Sequence, residues 1–246
     1  MKRKTHNLNY LILAVSLLFS YSINAQWTKK GNDIDGDVAG EWSGSSVSMS
    51  SDGNTVAISA QFNGGDVPLD GDTALKAGYY VRVFKWDGAV WTQKGNDIVG
   101  KATQDWLGRS VSMSSDGNTV AISAHGNDDG GSEAGYVRIF EWKETKWEQK
   151  GDNINGPEKS QRGLSVSMSY DGNTVAIGAP VNPSYTTGID EGHVRIYEWK
   201  ETKWEQKGDY IKAEREQDFF GGSVSMSSNG NTVAIGAYRN GEVGKD

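Results

Sequence analysis

Residues 110–123 read Ser-Val-Ser-Met-Ser-Ser-Asp-Gly-Asn-Thr-Val-Ala-Ile-Ser, and this stretch decides the fold. Val111 and Met113 alternate with serines before the Asp-Gly-Asn segment, and a second alternating run follows it. Alternation with a period of two indicates strands rather than helices. Asp-Gly between two such runs is a strong hairpin signal, because both central residues tolerate a positive φ. The stretch therefore predicts a β-hairpin.

The same hairpin recurs four times along the chain, and its first valines are Val47, Val111, Val166 and Val224. These valines lie 64, 55 and 58 residues apart. We call the two halves of the hairpin run one and run two. In the first three repeats, a Val-Arg run that ends in Trp (run three) and a Trp-x-Gln-Lys-Gly run (run four) follow in the same order. Each repeat therefore predicts a four-stranded antiparallel meander, and repeated meanders of this kind form the blades of a β-propeller.

The predicted fold class is all-β, with blades at about 44–98, 108–154, 163–211 and 221–246. The fourth blade is incomplete, because only three copies of run three accompany the four copies of run one. Residues 27–34 repeat run four and are predicted to form an outer strand. About three and a half blades are present, so we expect a partial propeller with further blades in a longer chain.

The first 25 residues have the organisation of a signal peptide. Lys2-Arg3-Lys4 gives a basic start, 11–19 is apolar, and Ile23-Asn24-Ala25 resembles a cleavage site. The alternative is an uncleaved membrane anchor, but the apolar part is too short for a spanning helix. We expect an exported protein, secreted or at the cell surface, with cleavage near Ala25.

The charge and the cysteine count exclude several classes of partner and site. Removing the first 25 residues changes 25 basic and 32 acidic residues to 22 and 32, a net charge of −10. A surface with this much negative charge repels phosphate backbones and anionic lipids. We therefore expect no nucleic-acid partner and no membrane insertion. The chain contains no cysteine, which excludes disulfides and thiolate metal sites.

Short motifs within the repeats resemble a known family. The fourth repeat contains Phe220-Gly221-Gly222-Ser223-Val224, and the third contains Gly178-Ala179-Pro180. These motifs are similar to FG-GAP repeats, the blades of the integrin α N-terminal propeller and of many secreted bacterial proteins. The resemblance covers 27–246 but is incomplete, since Ser43-Gly44 and Arg162-Gly163 replace Phe-Gly in the first and third copies. It implies a cell-surface role in adhesion.

Comparison of the copies separates a constant side from a variable one. The turns between runs one and two and between runs three and four are nearly constant, whereas the loops between runs two and three and between blades vary in length and content. Rigid scaffolds carry function on variable loops, so we predict that the variable side binds protein or glycan. The alternative is loop drift after duplication. The ligand-binding candidates are Trp42, Asp66, Asp70, Asp72, Trp106, His125, Asp128, Asp129, Tyr185, Asp190 and Phe219.

Two groups of tryptophan are expected to differ in role. Six of the nine form Trp-x4-Trp pairs around the turn between runs three and four: Trp86/Trp91, Trp142/Trp147 and Trp199/Trp204. Because they recur in each complete copy, we interpret them as cross-strand packing pairs, with a sugar platform as the alternative. Trp42 and Trp106 lie in the variable loops and are better binding candidates, unless they bury the start of a blade.

The carboxylates give little support for calcium, and we predict no cofactor. Calcium needs six to eight oxygen ligands, whereas each Asp-Gly-Asn turn offers one carboxylate and the fourth copy has Asn229 instead. Turn chemistry accounts for these residues. Asp66, Asp70 and Asp72 form a denser acidic group and remain the only metal candidates, with solvation as the alternative.

Catalytic motifs are missing from the sequence. There is no Gly-x-Ser-x-Gly, no His-Glu-x-x-His and no phosphate loop, and neither His125 nor His193 belongs to a repeated site. We therefore predict a non-catalytic scaffold. The alternative is a propeller module of a secreted hydrolase or lyase that acts on polysaccharide or phosphoester, because a glycosidase carboxylate pair leaves no spacing signature.

Overall fold

The computed structural model contains four antiparallel sheets, which we call blades one to four. The residues that the structure describes are 26–37, 40–61, 79–101, 105–126, 134–156, 165–180, 192–215 and 218–239. The chain divides into two compact units, 1–32 and 33–246, and every sheet lies in the second. In the described ranges, no helix is long and apolar enough to cross a membrane. The predicted all-β class is confirmed.

Each of the first three blades contains five strand segments. Blade one comprises β1 (Ser43–Met49), β2 (Thr55–Gln61), β3 (Tyr79–Trp86), β4 (Trp91–Gln93) and β5 (Ile98–Val99). Blade two comprises β6 (Leu107–Met113), β7 (Thr119–Ala124), β8 (Tyr136–Lys143), β9 (Lys146–Gln149) and β10 (Ile154–Asn155). Blade three comprises β11 (Ser165–Met168), β12 (Thr174–Ala179), β13 (His193–Lys200), β14 (Lys203–Gln206) and β15 (Ile211–Lys212). Blade four comprises β16 (Phe220–Met226) and β17 (Val233–Ala237).

The complete blades are antiparallel meanders whose outer strand is interrupted. In blade one the order is β1-β2-β3-β4, and β5 returns to pair with β3. The interruption falls at Gly95, whose φ of +79° an L side chain rarely adopts. Run four is therefore two short segments on either side of a kink. The four sheets are those of a partial propeller, with blade four represented by its inner hairpin.

The serines of run one join neighbouring blades. Ser46 Oγ accepts a hydrogen bond from Val111 N at 3.1 Å, and Ser48 Oγ accepts one from Met113 N at 2.9 Å. The same bonds recur one blade later, from Val166 N to Ser110 Oγ at 3.1 Å and from Met168 N to Ser112 Oγ at 2.9 Å, and again from Met226 N to Ser167 Oγ at 2.9 Å. The innermost strand of a blade is a sheet edge, and these bonds satisfy N–H groups that would otherwise be open.

Apolar side chains between consecutive blades form the core. Val111 and Met113 of blade two lie in one buried cluster with Val81 and Val83 of blade one. A second cluster joins blade two to blade three in the same way. Ala57, Ala121 and Ala176 on the second strands are fully buried, and their small size lets neighbouring sheets approach closely.

On the constant side, the turns between runs one and two are hydrogen-bonded from one blade to the next. Backbone bonds run from Ser51 N to Ser115 O, from Ser115 N to Tyr170 O and from Tyr170 N to Ser228 O, at 2.9, 3.0 and 2.8 Å. Lys94 Nζ reaches the next blade's turn and bonds to Asn118 Oδ1 at 2.7 Å. Burial, followed by the positive charge of Lys85, lowers the pKa of Lys94 to about 8. The repeated turns therefore have a structural role.

The tryptophan pairs are packing elements, as predicted. Their ring centroids lie 5.4, 5.3 and 5.4 Å apart in blades one, two and three. Trp147 Nε1 donates to Lys94 O of the preceding blade at 2.7 Å, and Trp204 Nε1 donates to Lys150 O at 2.8 Å. The second ring of each of these two pairs thus fastens one blade to the one before it.

One predicted strand is wrong. Residues 26–37 are described and contain no strand, so 27–34 do not form the outer strand that their similarity to run four suggested. In complete blades run four pairs with run three, whereas 27–34 pair with no strand among the described residues. A strand without a pairing partner gains no ladder hydrogen bonds. The predicted signal peptide at 1–25 lies outside the described residues.

Candidate functional site

In blades two and four, the residue that begins the blade lies beside the residues that follow its second strand. Gly126 N donates to Asp105 O, and Arg239 N donates to Asp218 O, each at 3.2 Å. These bonds join the start of a blade to the end of its second strand. We call this side the rim and define it by the three aromatic residues that start blades one, two and four: Trp42, Trp106 and Phe219.

The rim aromatics are held in an unusual backbone conformation. Their φ angles are +51°, +53° and +57°, in a region that costs a non-glycine residue about 1–3 kcal/mol. Among the described residues, the other two non-glycine residues with positive φ are Glu144 and Glu201, which lie in the two-residue hairpin turns between runs three and four. At the rim, the strain instead accompanies a β-bulge in the register of run one against run two. Bulges commonly redirect side chains near functional sites.

The rim tryptophans do not bury the start of the blade. Trp42 is 57% exposed and Trp106 is 45% exposed. The buried side chains are instead those of the acidic residues directly before the aromatics, namely Glu41, Asp105 and Asp218. The alternative of a packing role for the two tryptophans is therefore not supported. Comparing the residue before each aromatic across copies would have revealed the acidic position, which the sequence analysis missed.

Asp105 anchors the rim loop of blade two. Its carboxylate accepts a hydrogen bond from Lys101 N and another from the Tyr136 hydroxyl, both at 2.9 Å. Burial, and then the nearby Asp105 charge, raise the pKa of Tyr136 above its usual value, so the phenol remains a donor. Through these two bonds the Asp105 carboxylate connects Lys101 with Tyr136 of β8. The side chain of the next residue, Trp106, is exposed to solvent.

Glu41 has the equivalent role in blade one with a different partner. Its Oε1 accepts from Asp37 N at 2.9 Å and lies 3.7 Å from Arg82 Nη2. Arg82 is buried and also bonds to Asp37 Oδ1 at 2.6 Å and to Asp35 O at 3.0 Å. A buried charge needs partners of this kind, and here the partners fix the loop that carries Trp42.

Trp106 packs against His125, which places two predicted site residues together. Their ring centroids lie 4.9 Å apart, with the planes tilted by 53°. Burial, and then the positive charge of Arg109, lower the pKa of His125 to about 4. Its Nδ1 is buried and has no hydrogen-bond partner in the described part of the chain. At neutral pH His125 is therefore an uncharged ring.

Phe219 also packs against a second ring, but that ring is a tyrosine instead of a histidine. Its ring lies 4.7 Å from Tyr238, which occupies the position of His125 in blade four. The Arg239 guanidinium stands 5.1 Å from the Phe219 centroid and 5.8 Å from that of Tyr238. Each rim aromatic in blades two and four is thus supported by a second ring, while the nearby cation differs.

The remaining predicted binding residues cannot be placed. They lie outside the described residues: Asp66, Asp70, Asp72, Asp128, Asp129, Tyr185 and Asp190. The metal candidates are among them. In the described ranges, no group of three or more His, Asp or Glu side chains is arranged to hold a metal ion.

The Asp-Gly-Asn turns show how their carboxylates are used. Asp52 accepts hydrogen bonds from Ser50 Oγ at 2.6 Å, from Asn54 N at 2.9 Å and from Asn54 Nδ2 at 3.0 Å. These bonds, led by that from Ser50, lower the pKa of Asp52 to about 2. Asp116 repeats the three contacts in blade two. The turn carboxylates serve the turn itself, as predicted from turn chemistry.

Comparisons with known proteins agree with the repeat type. Residues 100–140 match the family model described as FG-GAP repeat. A search of curated proteins found no match. Among solved structures, the chain is similar to a proposed 6-phosphogluconolactonase from Bacteroides uniformis ATCC 8492, with a TM-score of 0.46 and 13% identity over 77% of this chain and 46% of that chain.

Two further structures share comparable similarity. A proposed 6-phosphogluconolactonase from Bacteroides fragilis NCTC 9343 matches with a TM-score of 0.44 and 13% identity, over 77% of this chain and 40% of that chain. Saccharomyces cerevisiae Sqt1 matches with a TM-score of 0.41 and 13% identity, over 73% and 37%. The chain thus spans less than half the length of each. By its own sheets and its repeat motif, it is an all-β protein of the propeller type that carries an FG-GAP repeat at residues 100–140.

Proposed function

We propose that the chain is an exported, non-catalytic binding module that recognises an extracellular glycan through the rim. The observation that carries this proposal is the recurrence of an aromatic side chain in strained backbone at the start of blades one, two and four, exposed at Trp42 and Trp106 and half-buried at Phe219. A strained backbone lowers the stability of the folded protein, and strained residues cluster at functional sites, where the strained conformation serves the site. The buried acids beneath the rings supply the rigid support that a binding surface needs.

A glycan fits this arrangement because the rim offers separate aromatic platforms on blades one, two and four rather than a continuous apolar patch. An aromatic ring presents an apolar face to a sugar's C–H groups, while the sugar hydroxyls remain in water or bond to polar neighbours. The Arg109 charge acts on His125, the ring that packs against Trp106, and Arg239 stacks on Phe219. Repeated platforms also suit a repeated ligand, since several weak contacts on one chain increase the total affinity.

A protein ligand is the second candidate, and one observation favours it. Arg239 stacks on both Phe219 and Tyr238, and arginine with aromatic residues is the composition enriched at protein interfaces. The alternative of a secreted hydrolase or lyase lacks comparable support. Asp105, a buried carboxylate beside Trp106, accepts hydrogen bonds from Lys101 N and from the Tyr136 hydroxyl. These bonds give the carboxylate a structural role.

Retention on polysaccharides tests the glycan proposal. The mature chain from Gln26 is passed over a panel of insoluble polysaccharides, including cellulose, chitin, xylan and pectin, and over immobilised cell-surface proteins. We expect retention on at least one polysaccharide and a loss of affinity of about tenfold or more in Trp106→Ala, since buried aromatic contacts are typical hot spots.

Trp27→Ala is the matched control, because it removes another exposed tryptophan, one that does not belong to the three rim aromatics. Its retention should equal that of the wild type. Equal retention of the Trp106→Ala and wild-type chains would contradict the rim proposal, and capture only by a protein would replace the glycan with the second candidate.

A further inference from the structure

The position after run two carries polar side chains next to the rim aromatics. In blade two the residue at this position is His125, whose ring centroid lies 4.9 Å from that of Trp106. In blade one it is Gln61, which directly follows the pairing partner of Ser43, the residue after Trp42. By this register, Gln61 is the equivalent of His125 in blade one.

Gln61 and His125 each hold a buried nitrogen without a hydrogen-bond partner. The atoms are Gln61 Nε2 and His125 Nδ1, and no group in the described part of the chain bonds to either of them. Burial removes water from a polar nitrogen, and a hydrogen bond left unmade there costs free energy. Most buried polar groups in folded proteins are paired, so two unpaired nitrogens at equivalent positions require an explanation.

The polar side chain and the rim aromatic occur together in the four copies. Blade four has Phe219 with Tyr238, and their ring centroids lie 4.7 Å apart. Blade three lacks both features, because Gln161 stands at the aromatic position and Pro180 at the polar one. The polar group is therefore present where the aromatic platform is present, which associates it with the platform rather than with the sheet.

The chemistry of these side chains favours an uncharged hydroxyl group as the missing partner. At neutral pH His125 is an uncharged ring, because burial and then the positive charge of Arg109 lower its pKa to about 4. A neutral imidazole has one donor and one acceptor nitrogen, and a glutamine amide likewise offers a donor and an acceptor. A hydroxyl group both donates and accepts, so it satisfies either residue whichever way the terminal group is turned.

Both nitrogens are within reach of a ligand at the surface. The side chains of Gln61 and His125 are half-buried, so part of each is accessible. The terminal torsion of glutamine and of histidine is broad and roughly two-fold. Rotation about this torsion exchanges the buried nitrogen with the atom on the opposite edge of the group.

We propose that Gln61 and His125 bind hydroxyl groups of a neutral polysaccharide. Its sugar rings pack on Trp42 and Trp106. This inference rests on the proposed binding function of the rim and assigns to it a class of glycan and two specificity-determining residues. The aromatic ring contacts the C–H face of a sugar, while the neighbouring nitrogen gains the missing hydrogen bond from a hydroxyl group. Blades one and two thus supply two equivalent subsites, which suits a polymer of repeated neutral sugars.

Affinity electrophoresis of the mature chain from Gln26, in gels that contain soluble polysaccharide, tests this proposal. The neutral probes are hydroxyethyl cellulose, xyloglucan and glucomannan, and the charged probe is polygalacturonate. Gln61→Met and His125→Phe remove the unpaired nitrogens, and the second variant keeps a ring next to Trp106. Ser115→Ala is the matched control, because it removes another buried polar atom without a partner, in the turn of blade two on the constant side.

We expect at least one neutral polysaccharide to retard the wild type and Ser115→Ala equally. Gln61→Met and His125→Phe should each bind it about threefold to tenfold more weakly, which corresponds to the loss of one uncharged hydrogen bond. Urea unfolding should show no loss of stability in these two variants, because each removes an unpaired buried atom. A purely structural role would change stability without changing retardation.

Two outcomes would overturn this inference and leave the binding function of the rim in place. One is retardation by polygalacturonate alone. The other is retardation by a neutral polysaccharide that Trp106→Ala weakens but that Gln61→Met and His125→Phe leave unchanged. Absence of retardation by every polysaccharide, or equal retardation of Trp106→Ala and the wild type, would instead contradict the rim function itself and this inference with it.

Discussion

His125 makes the free energy of unfolding depend on pH. Its folded pKa of about 4 is below the usual value of about 6.5, because the ring is buried and close to Arg109. Between these values the unfolded chain binds a proton that the folded chain does not, so the free energy of unfolding decreases as the pH falls. For one proton the slope approaches about 1.4 kcal/mol per pH unit.

Replacing His125 with Gln, the residue that blade one has at Gln61, should remove this slope. Urea unfolding of the wild type and of His125→Gln, measured across this pH range, gives the two slopes. Equal slopes would show that His125 is not the titrating group.

Gly95 tests the packing of the tryptophan pairs. A Cβ at this position would lie 2.6 Å from Trp142 Cζ3, and φ is +79°. Gly208 is the matched control, since its φ is +72° and nothing lies within 4 Å of the corresponding Cβ. Gly208→Ala should cost about 1–2 kcal/mol from the backbone alone.

Gly95→Ala should cost about 1–3 kcal/mol more than Gly208→Ala, because overpacking adds to the same backbone cost. Denaturant unfolding of both variants measures the difference. Equal losses of unfolding free energy would mean that the outer hairpin of blade two yields to the added methyl group.

The serines of run one link strands of different blades. Ser112→Ala removes the acceptor of Met168 N, which leaves a backbone donor between two packed sheets and should cost about 1–3 kcal/mol of unfolding free energy. Ser225→Ala is the control at the equivalent position of blade four, where no following blade is present in the described residues. The control should change stability by less than about 0.5 kcal/mol. Similar losses in both variants would argue against the inter-blade bond.

The strands illustrate what could be predicted from sequence. Alternation and the Asp-Gly turns, or Asn-Gly in blade four, predicted the four inner hairpins of the described residues, because both signals are local. The fate of the serines could not be predicted, since period-two alternation identifies a face but not the group that it meets. Residues 27–34 were misassigned because a strand depends on a partner that is not encoded in its own residues.

Prediction of the site was similarly divided. Comparison of the copies selected the variable side and the residues Trp42, Trp106, His125 and Phe219 as binding candidates. The structure places Trp106 against His125. The exposure of Trp42 and Trp106 and the burial of the acids before them reverse what hydrophobicity alone suggests. Left-handed backbone and a bulge produce this reversal, and neither has a composition signal in a non-glycine residue.

The described part of the molecule has a constant side, which we call the frame, and the rim on the opposite side. On one side, turns, lysines and tryptophan pairs repeat and are engaged with the next blade. On the other, the aromatics repeat while their neighbours differ, His125 in blade two and Tyr238 in blade four. A constant frame with a varied rim is the organisation of a scaffold that binds through its loops.

Fluorine NMR of the chain labelled with 5-fluorotryptophan tests this separation most directly, because each of the nine tryptophans gives its own resonance. Single Trp→Phe variants assign the signals. On addition of a soluble fragment of the polysaccharide that retains the chain, we predict that the resonances of Trp42 and Trp106 shift, while those of Trp142, Trp147, Trp199 and Trp204 do not. Shifts confined to the paired tryptophans, with Trp42 and Trp106 unchanged, would contradict the account.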